Sequence, residues 1–327
     1  MTPLHLAFKG DWGTANLHSA CGWIASGLRA RSASGSTFVV HTSAGMDDNA
    51  RALVAGLVDL AFITPLALAA MLVRGIGMYD TPQPRLRAIA ALPHRDRLVL
   101  AIARDVADRE GIASYEDLAV RRPALRIVVG PADGDHAFAA GEILRRYGIS
   151  PEDITAWGGA WLRVDRPPAM PALVLSGQAD ALFTERVMRL HDLCEARPMR
   201  FIGLNESVLA DLRAELGWER ATIEPGDLPG IDRPVPTLDW GQWVALVRAD
   251  MPDAVAAQIA RVMVEDRALF EAKYAHLPRE RSPLDYPITP EKLVRTGAVP
   301  LHAGAATYFA SIGALAASGG REGRKVS

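Results

Sequence analysis

The feature that most constrains this chain is a unit that recurs along it: a short apolar run, a polar turn, then the start of a helix. Residues 4–8 lead through Gly10-Asp11-Trp12-Gly13-Thr14-Ala15-Asn16 into a helix expected over about 14–28, capped by Thr14 or its neighbour. Residues 38–40 lead through a turn at 41–45 into a helix that starts at Asp47 or Asp48 and runs to 57, and residues 125–129 lead through 130–135 into a helix ending at 147. A fourth run, 60–63, meets Thr64-Pro65, and proline suits a first helical turn. Such alternation asks for a mainly parallel sheet covered on both faces. The loops at the strands' carboxyl ends then line a crevice. Helix N-termini bring unpaired N–H groups and partial positive charge to it, which suits a carboxylate or phosphate.

The remaining pattern gives the organisation. Two apolar strands at 86–92 and 98–103 are joined by Pro93-His94-Arg95-Asp96-Arg97, where the chain is expected to cross from one lobe to another. Ser114 caps a short helix; 157–161 reads as a loop, 171–177 as helix, and 179–183 and 201–204 as strands. Residues 225–239, rich in Pro, Gly and Asp, read as a connector, and 243–247 as the strand that returns to the first lobe. Helices over 252–274 and 302–317 follow, with a disordered tail over 318–327 and no internal repeat. The expected fold class is α/β, with one lobe of 1–96 and 241–327 and another of 97–240.

Composition closes off several functions. A chain of 327 residues suits two lobes better than one core. A net charge of −2 with no basic block argues against nucleic acid as a partner. Cys21 and Cys194 belong to no C-x-x-C pair, so they read as buried thiols, not as zinc or redox groups. Residues 52–73 are apolar, but Asp59, Thr64 and Pro65 interrupt them where a membrane span would be most apolar. No signal peptide is visible at the start. No G-x-S-x-G, H-E-x-x-H, P-loop or dinucleotide fingerprint occurs, so no catalytic residue, metal or cofactor is expected.

The candidate ligand residues follow from position. Trp12, Thr14 and Asn16 offer a stacking face, a hydroxyl and an amide. Thr42, Ser43 and Thr64 are cleft hydroxyls or helix caps. Asp135 and His136 open a helix in the second lobe, Asp135 as cap or contact and His136 as a donor to a carboxylate or a surface group. In Trp157-Gly158-Gly159-Ala160-Trp161, Gly159 would let backbone approach a ligand and Trp161 would wall the pocket, the alternative being a turn with core aromatics. Arg163 would pair with an anion or stay a solvated charge. Glu185 follows a strand with Thr184, and a carboxylate there favours an amine or hydroxyl on the ligand, or else a hinge contact. Asp239 and Trp240 are placed at the hinge.

Several stretches resemble a known family. Gly10 to Gly22 reads G-D-W-G-T-A-N-L-H-S-A-C-G; Asn49-Ala50-Arg51 precedes Val58-Asp59-Leu60-Ala61-Phe62-Ile63-Thr64-Pro65; Gly177-Gln178-Ala179-Asp180-Ala181 and Val299-Pro300-Leu301-His302-Ala303-Gly304-Ala305-Ala306-Thr307-Tyr308 come later. In this order they resemble the TAXI family of solute receptors of TRAP transporters, within the type II periplasmic-binding-protein fold. The resemblance implies a monomeric, two-lobed receptor with two crossover strands. It implies a small-molecule ligand, typically a carboxylate, held between lobes that close on it, and a membrane permease as partner. It also makes His302 a structural cap. Family members carry an aromatic pair at the first loop where this chain has Ala15-Asn16, so no particular ligand transfers. A periplasmic location is implied by resemblance and a cytoplasmic one by the start of the chain. The rival reading is a cytoplasmic enzyme, such as a decarboxylase or isomerase of a small carboxylate, or a ligand sensor on the same fold.

Overall fold

The computed structural model describes residues 2–11, 15–131, 134–185, 188–279 and 281–315. Trp12, Thr14 and the 318–327 tail therefore lie outside the described residues. The strands are β1 (His5–Lys9), β2 (Thr37–His41), β3 (Leu60–Ile63), β4 (Leu86–Leu92), β5 (Arg97–Ala103), β6 (Arg126–Val128), β7 (Ala160–Leu162), β8 (Ala181–Glu185), β9 (Met199–Ile202), β10 (Arg220–Ile223), β11 (Val235–Asp239) and β12 (Trp243–Arg248). They form two sheets. The first has the order β2-β1-β3-β12-β4; the second has the order β10-β11-β5-β8-β6-β7, with β9 paired to β5.

This is the two-lobed α/β fold of the type II periplasmic-binding-protein kind, and its mainly parallel sheets each take in a crossover strand that runs against its neighbours. β1 pairs parallel with β2 and β3, and β6 with β7 and β8, but β12 runs antiparallel to β3 and β4, and β5 antiparallel to β8, β9 and β11. The cause is the double crossing. The chain leaves the first sheet after β4 and enters the second as β5; it leaves the second after β11 and re-enters the first as β12. A strand arriving from the opposite lobe enters against the local direction. The two crossings touch: the Trp240 N–H donates to Asp96 O at 3.0 Å, and Arg97 donates to Asp239 at 2.8 Å. A Cβ on Gly241 would meet His94 O at 2.3 Å, so the crossings can lie this close only with glycine there.

β3, β4, β5 and β12 are almost wholly buried, because helices cover both faces of each sheet. Helix Asp253–Glu265 packs on helix Ala303–Ser311 and on β4. No helix among the described residues is long and apolar enough to cross a membrane; the 52–73 stretch is the end of a helix, β3 and a second helix. Cys21 and Cys194 are free and buried.

One supersecondary device occurs in both lobes, although no internal repeat was expected. Gly56-Leu57-Val58-Asp59 turns into β3, and Gly177-Gln178-Ala179-Asp180 turns into β8; each glycine has φ of +73°. Asp59 accepts from the Ala7 N–H on β1 at 2.8 Å, and Asp180 accepts from the Arg126 N–H on β6 at 2.9 Å. Each aspartate N–H also donates to that same neighbour's carbonyl, at 2.8 Å in both lobes. The carboxylate thus registers the incoming parallel strand on its neighbour.

Other expectations shift. Ala160–Leu162 is β7, paired with β6, not part of a loop. Residues 235–239 of the expected connector are β11, and β10 precedes it. The expected 252–274 helix breaks at Asp266, whose carboxylate takes two 2.7 Å bonds from Arg31 and whose carbonyl accepts from Trp23. The helix after β2 ends at Val54, three residues early, and Pro65 is the residue before helix Leu66–Arg74 instead of its first. Ser114 and His302 do cap their helices, through the N–H groups of Asp117 and Gly304.

Candidate functional site

The carboxyl ends of the two sheets face a cavity of about 260 Å³. From the first sheet come Asp11 and Asn16 after β1, residues 44–48 and Arg51 after β2, and Thr64 after β3. From the second come Pro131 and residues 134–136 after β6, Pro167, and Glu185 at the end of β8. His94 and Trp243, one on each crossing, pack with ring centroids 4.3 Å apart and planes tilted by 34°, and complete the wall.

The first-sheet loops are held by side chains that strand periodicity does not reveal. Asp11 is buried and accepts from the N–H groups of Leu17 (3.0 Å) and His18 (2.8 Å), so it caps helix Asn16–Arg29 from the far side of the loop. Ala15 occupies the position before the helix and has no side-chain cap to offer, while the cap expected of Thr14 lies outside the described residues. Burial raises the Asp11 carboxyl above its ordinary value, and those two N–H bonds offset part of the rise. Asn49 is fully buried and donates to Gly10 O (2.5 Å) and Phe62 O (2.7 Å), locking the first loop to β3. Asp48 pairs with Lys9 at 2.8 Å and accepts from the Ala44 N–H, and Asp47 pairs with Arg51 at 2.9 Å.

Of the candidate residues, Asn16, Thr64, Asp135, His136 and Glu185 are brought to this cavity. Asn16 spends its amide oxygen on Tyr274 OH at 2.7 Å. The Thr64 hydroxyl has no hydrogen-bond partner among the described residues. Helices Met46–Val54 and Asp135–Arg146 begin here behind Gly45 and Gly134, which carry no side chain to cap them, and so bring the partial positive charge of two helix N-termini to the cavity.

Five candidates are not cavity residues. Thr42 is exposed, and Ser43 closes its own turn by bonding the Gly45 N–H and carbonyl. Gly159 is needed for a different close approach: a Cβ there would meet Leu125 O at 2.2 Å, where β7 joins β6. Trp161 lies on β7 and packs towards Phe183 with centroids 6.4 Å apart. Arg163 is exposed, sits over the Trp161 ring, and donates to Pro131 O at 3.3 Å. Sequence position alone missed Asp11, Arg51, His94 and Trp243. The first has the look of a turn residue, and the crossing residues have no strand–helix signature.

The electrostatics centre on three groups. His136 Nδ1 lies 3.1 Å from Asp135 Oδ1. Burial alone would push the imidazole down, but Asp135, Glu185 and Asp96 outweigh it and hold the ring at about 9. Glu185 moves up to about 7: burial raises it, His136 lowers it, and Asp135 and Asp11 raise it further. The surrounding carboxylates thus favour the protonated imidazole, and burial favours the protonated glutamate. Among the described residues no group of three His, Cys, Asp or Glu is placed to hold a metal ion.

No curated protein matches the chain. Among solved structures it is similar to the alkanesulfonate-binding protein SsuA of Xanthomonas axonopodis pv. citri bound to MOPS, at 14% identity over 86% of each chain with a TM-score of 0.46. It is similar to PhnD1 of Prochlorococcus marinus in complex with methylphosphonate, at 12% identity over 81% of this chain and 85% of that one, with a TM-score of 0.48. It is also similar to a ligand-binding component of an ABC-type import system from Staphylococcus aureus with zinc bound, at 12% identity over 85% and 81%, with a TM-score of 0.45. The NMT1-like family model matches residues 24–313, from within the first helix to the last, and the chain belongs to the NMT1-like family.

Proposed function

We propose that the protein is a solute-binding receptor and not an enzyme: it captures a small polar or anionic metabolite, a carboxylate, between its lobes and closes on it. The bodies that move are 1–96 with 241–327 and 97–240, hinged where the crossings touch at Asp96 and Trp240. The resemblance to TAXI receptors makes a TRAP-type membrane permease the partner, a monomer the working form and the periplasm its place. The observation that carries the reading is the cavity itself. Loops from both sheets meet there with two helix N-termini, the His136 imidazolium and the Thr64 hydroxyl, which together suit a carboxylate of small size. Calorimetry on a panel of small carboxylates tests it. A ligand bound at micromolar concentration or tighter, recovered unchanged, is the expected result; consumption of a panel member overturns it.

One observation favours the rival enzyme. Glu185 near 7 beside His136 near 9 is a pair of titratable groups of the kind that serves acid–base chemistry. Nuclear magnetic resonance of the same panel incubated with the protein would detect decarboxylation or isomerisation, and the receptor reading expects unchanged spectra.

A further inference from the structure

Between β3 and β4 the chain makes a turn that reaches the other lobe. Helix Leu66–Arg74 ends at Gly75 in the left-handed region (φ +67°). The N–H groups of Gly75 and Ile76 both donate to Met71 O, at 2.8 and 3.2 Å, and that of Tyr79 donates to Ile76 O at 3.1 Å. The tip is Gly77, also left-handed (φ +65°). A Cβ on Gly77 would stand 2.8 Å from Met71 Sδ, and 3.2 Å from both Phe138 Cζ and Leu216 Cδ2. Phe138 lies on helix Asp135–Arg146 and Leu216 ends helix Glu206–Leu216, both among the strands of the second sheet. The approach is mutual. Past Leu216 the chain turns at Gly217 (φ +77°), where a Cβ would lie 3.7 Å from Nη1 of Arg74. A turn asks only for a left-handed residue at Gly77; here the space beyond its Cα is also taken by the other lobe.

The contact leads back to the cavity. Phe138 packs on Trp218 with ring centroids 5.8 Å apart, and Trp218 stacks on Trp240 of the second crossing at 6.0 Å. Trp240 in turn packs on His136 at 5.4 Å. Phe138 and His136 are two residues apart on one helix, so holding that helix at Phe138 also holds the end that delivers Asp135 and His136 to the cavity. Burial raises the Tyr79 phenol, and Asp47 from the first lobe and Asp135 from the second raise it further, which puts this ring near the walls of both lobes. Apolar contact of this kind has no direction, and its strength follows the area withdrawn from water. It favours lobes held together whatever occupies the cavity.

We propose that the turn 75–79 is an interlobe clasp: it seats on Phe138 and Leu216 when the lobes are together, parts from them when the lobes open, and so sets the closure equilibrium from outside the ligand cavity. This rests on the moving bodies of the receptor reading and adds a contact that no solute touches. A substitution in the clasp changes the free energy of the closed arrangement alone, because the open one has no such contact to lose, and the populations shift accordingly.

The test places spin labels on the full-length protein at Leu57→Cys, before β3, and at Val120→Cys, in helix Tyr115–Arg121. Leu57 and Val120 are 73% and 81% exposed, whereas Cys21 and Cys194 are buried, so the labels go to the introduced thiols. Pulsed electron–electron double resonance, with no solute added, reads the distance between the lobes. The doubly labelled protein is expected to show, as its main population, the distance that separates these sites in this structure. Phe138→Ala leaves the turn untouched; Gly77→Asn tolerates the left-handed backbone but needs the room. Each is expected to reduce that population at least threefold in favour of a second distance. Phe138→Leu, which keeps an apolar side chain at the contact, should retain at least half of it, and melting curves verify that the variants fold. Distributions of Phe138→Ala and Gly77→Asn that superimpose on the parent overturn the clasp, as does a parent without that main distance or a Phe138→Leu that behaves like Phe138→Ala. Since no solute is present, these outcomes are read apart from the receptor reading, which the calorimetric panel decides.

Discussion

Asp135 Oδ1 lies 3.1 Å from Nδ1 of its neighbour His136, and this contact commits one ring nitrogen to the protein and leaves the other for the cavity. The sequence puts both groups in the first helical turn, where the carboxylate also complements the helix dipole. His136→Ala removes the donor and the charge together. Ligand affinity should fall by about 10- to 100-fold, as expected for loss of a charge-assisted bond worth about 1.5–3 kcal/mol. Calorimetry reads this directly, and undiminished affinity would remove His136 from the site.

The same groups set a pH dependence of stability. Glu185 is raised in the folded state from 4.5 to about 7, so between those values the folded protein holds a proton that the unfolded chain has released, and stability falls as pH rises. His136 is raised from 6.5 to about 9; its contribution is complete below 6.5 and is lost as pH rises through 9. Melting temperature of the ligand-free protein should therefore decline from about pH 5 to pH 9. Glu185→Gln should flatten the lower part of that decline, below about pH 7. A curve of Glu185→Gln parallel to wild type would show that this carboxyl does not titrate there.

Asp59 and Asp180 make the same strand-registering contact in the two lobes, but Asp180 also holds Arg126 through Nε (2.9 Å) and Nη2 (2.7 Å). Asp180→Ala leaves a backbone N–H of β6 and a guanidinium without their acceptor, and should destabilise by about 2 kcal/mol. The Arg126 contacts and the backbone N–H hold the Asp180 carboxyl below its ordinary 3.8 despite burial. Its contribution is present above that value and is lost as pH falls through the depressed one. Chemical denaturation at pH 7 of both alanine variants should rank Asp180 as the costlier loss.

How much of this was legible follows from where each signal resides. β3 and β4 stand where the apolar runs put them, because strands buried on both faces need no polar alternation. β7, β10 and β11 are short, and their pairing is supplied by neighbours distant in sequence, so their composition reads as loop. Reading the residue after each strand reaches Thr64 and Glu185. It cannot reach Asp11, whose role depends on the loop folding back over the helix, or His94 and Trp243, which meet only when the crossings come together. Gly159 stands at a strand junction and Trp161 packs towards Phe183 within the second sheet, placements that depend on partners distant in sequence.

Arg281 reaches from the segment beside the first crossing to the helix Met188–Ala196. It bonds Glu195 and His191 Nδ1 (3.0 Å) and lies 3.7 Å from Asp192. The segment is itself tied to the crossing by the Arg95 N–H on Pro283 O at 3.1 Å. These are partly exposed charges, so the cluster is worth about 1 kcal/mol. Arg281→Ala should speed ligand release about two- to fivefold and leave the association rate nearly unchanged. Stopped-flow kinetics reads both, and an unaltered release rate would show that the cluster plays no part in holding the lobes.

The central claim is closure of two lobes on a solute. Small-angle X-ray scattering of the protein, titrated with the tightest-binding acid from the calorimetric panel, tests it most directly. The radius of gyration should fall and saturate at one equivalent of ligand, with the ligand recovered intact. An unchanged radius at saturation, together with chemical conversion of that acid, would contradict the receptor and establish an enzyme in its place.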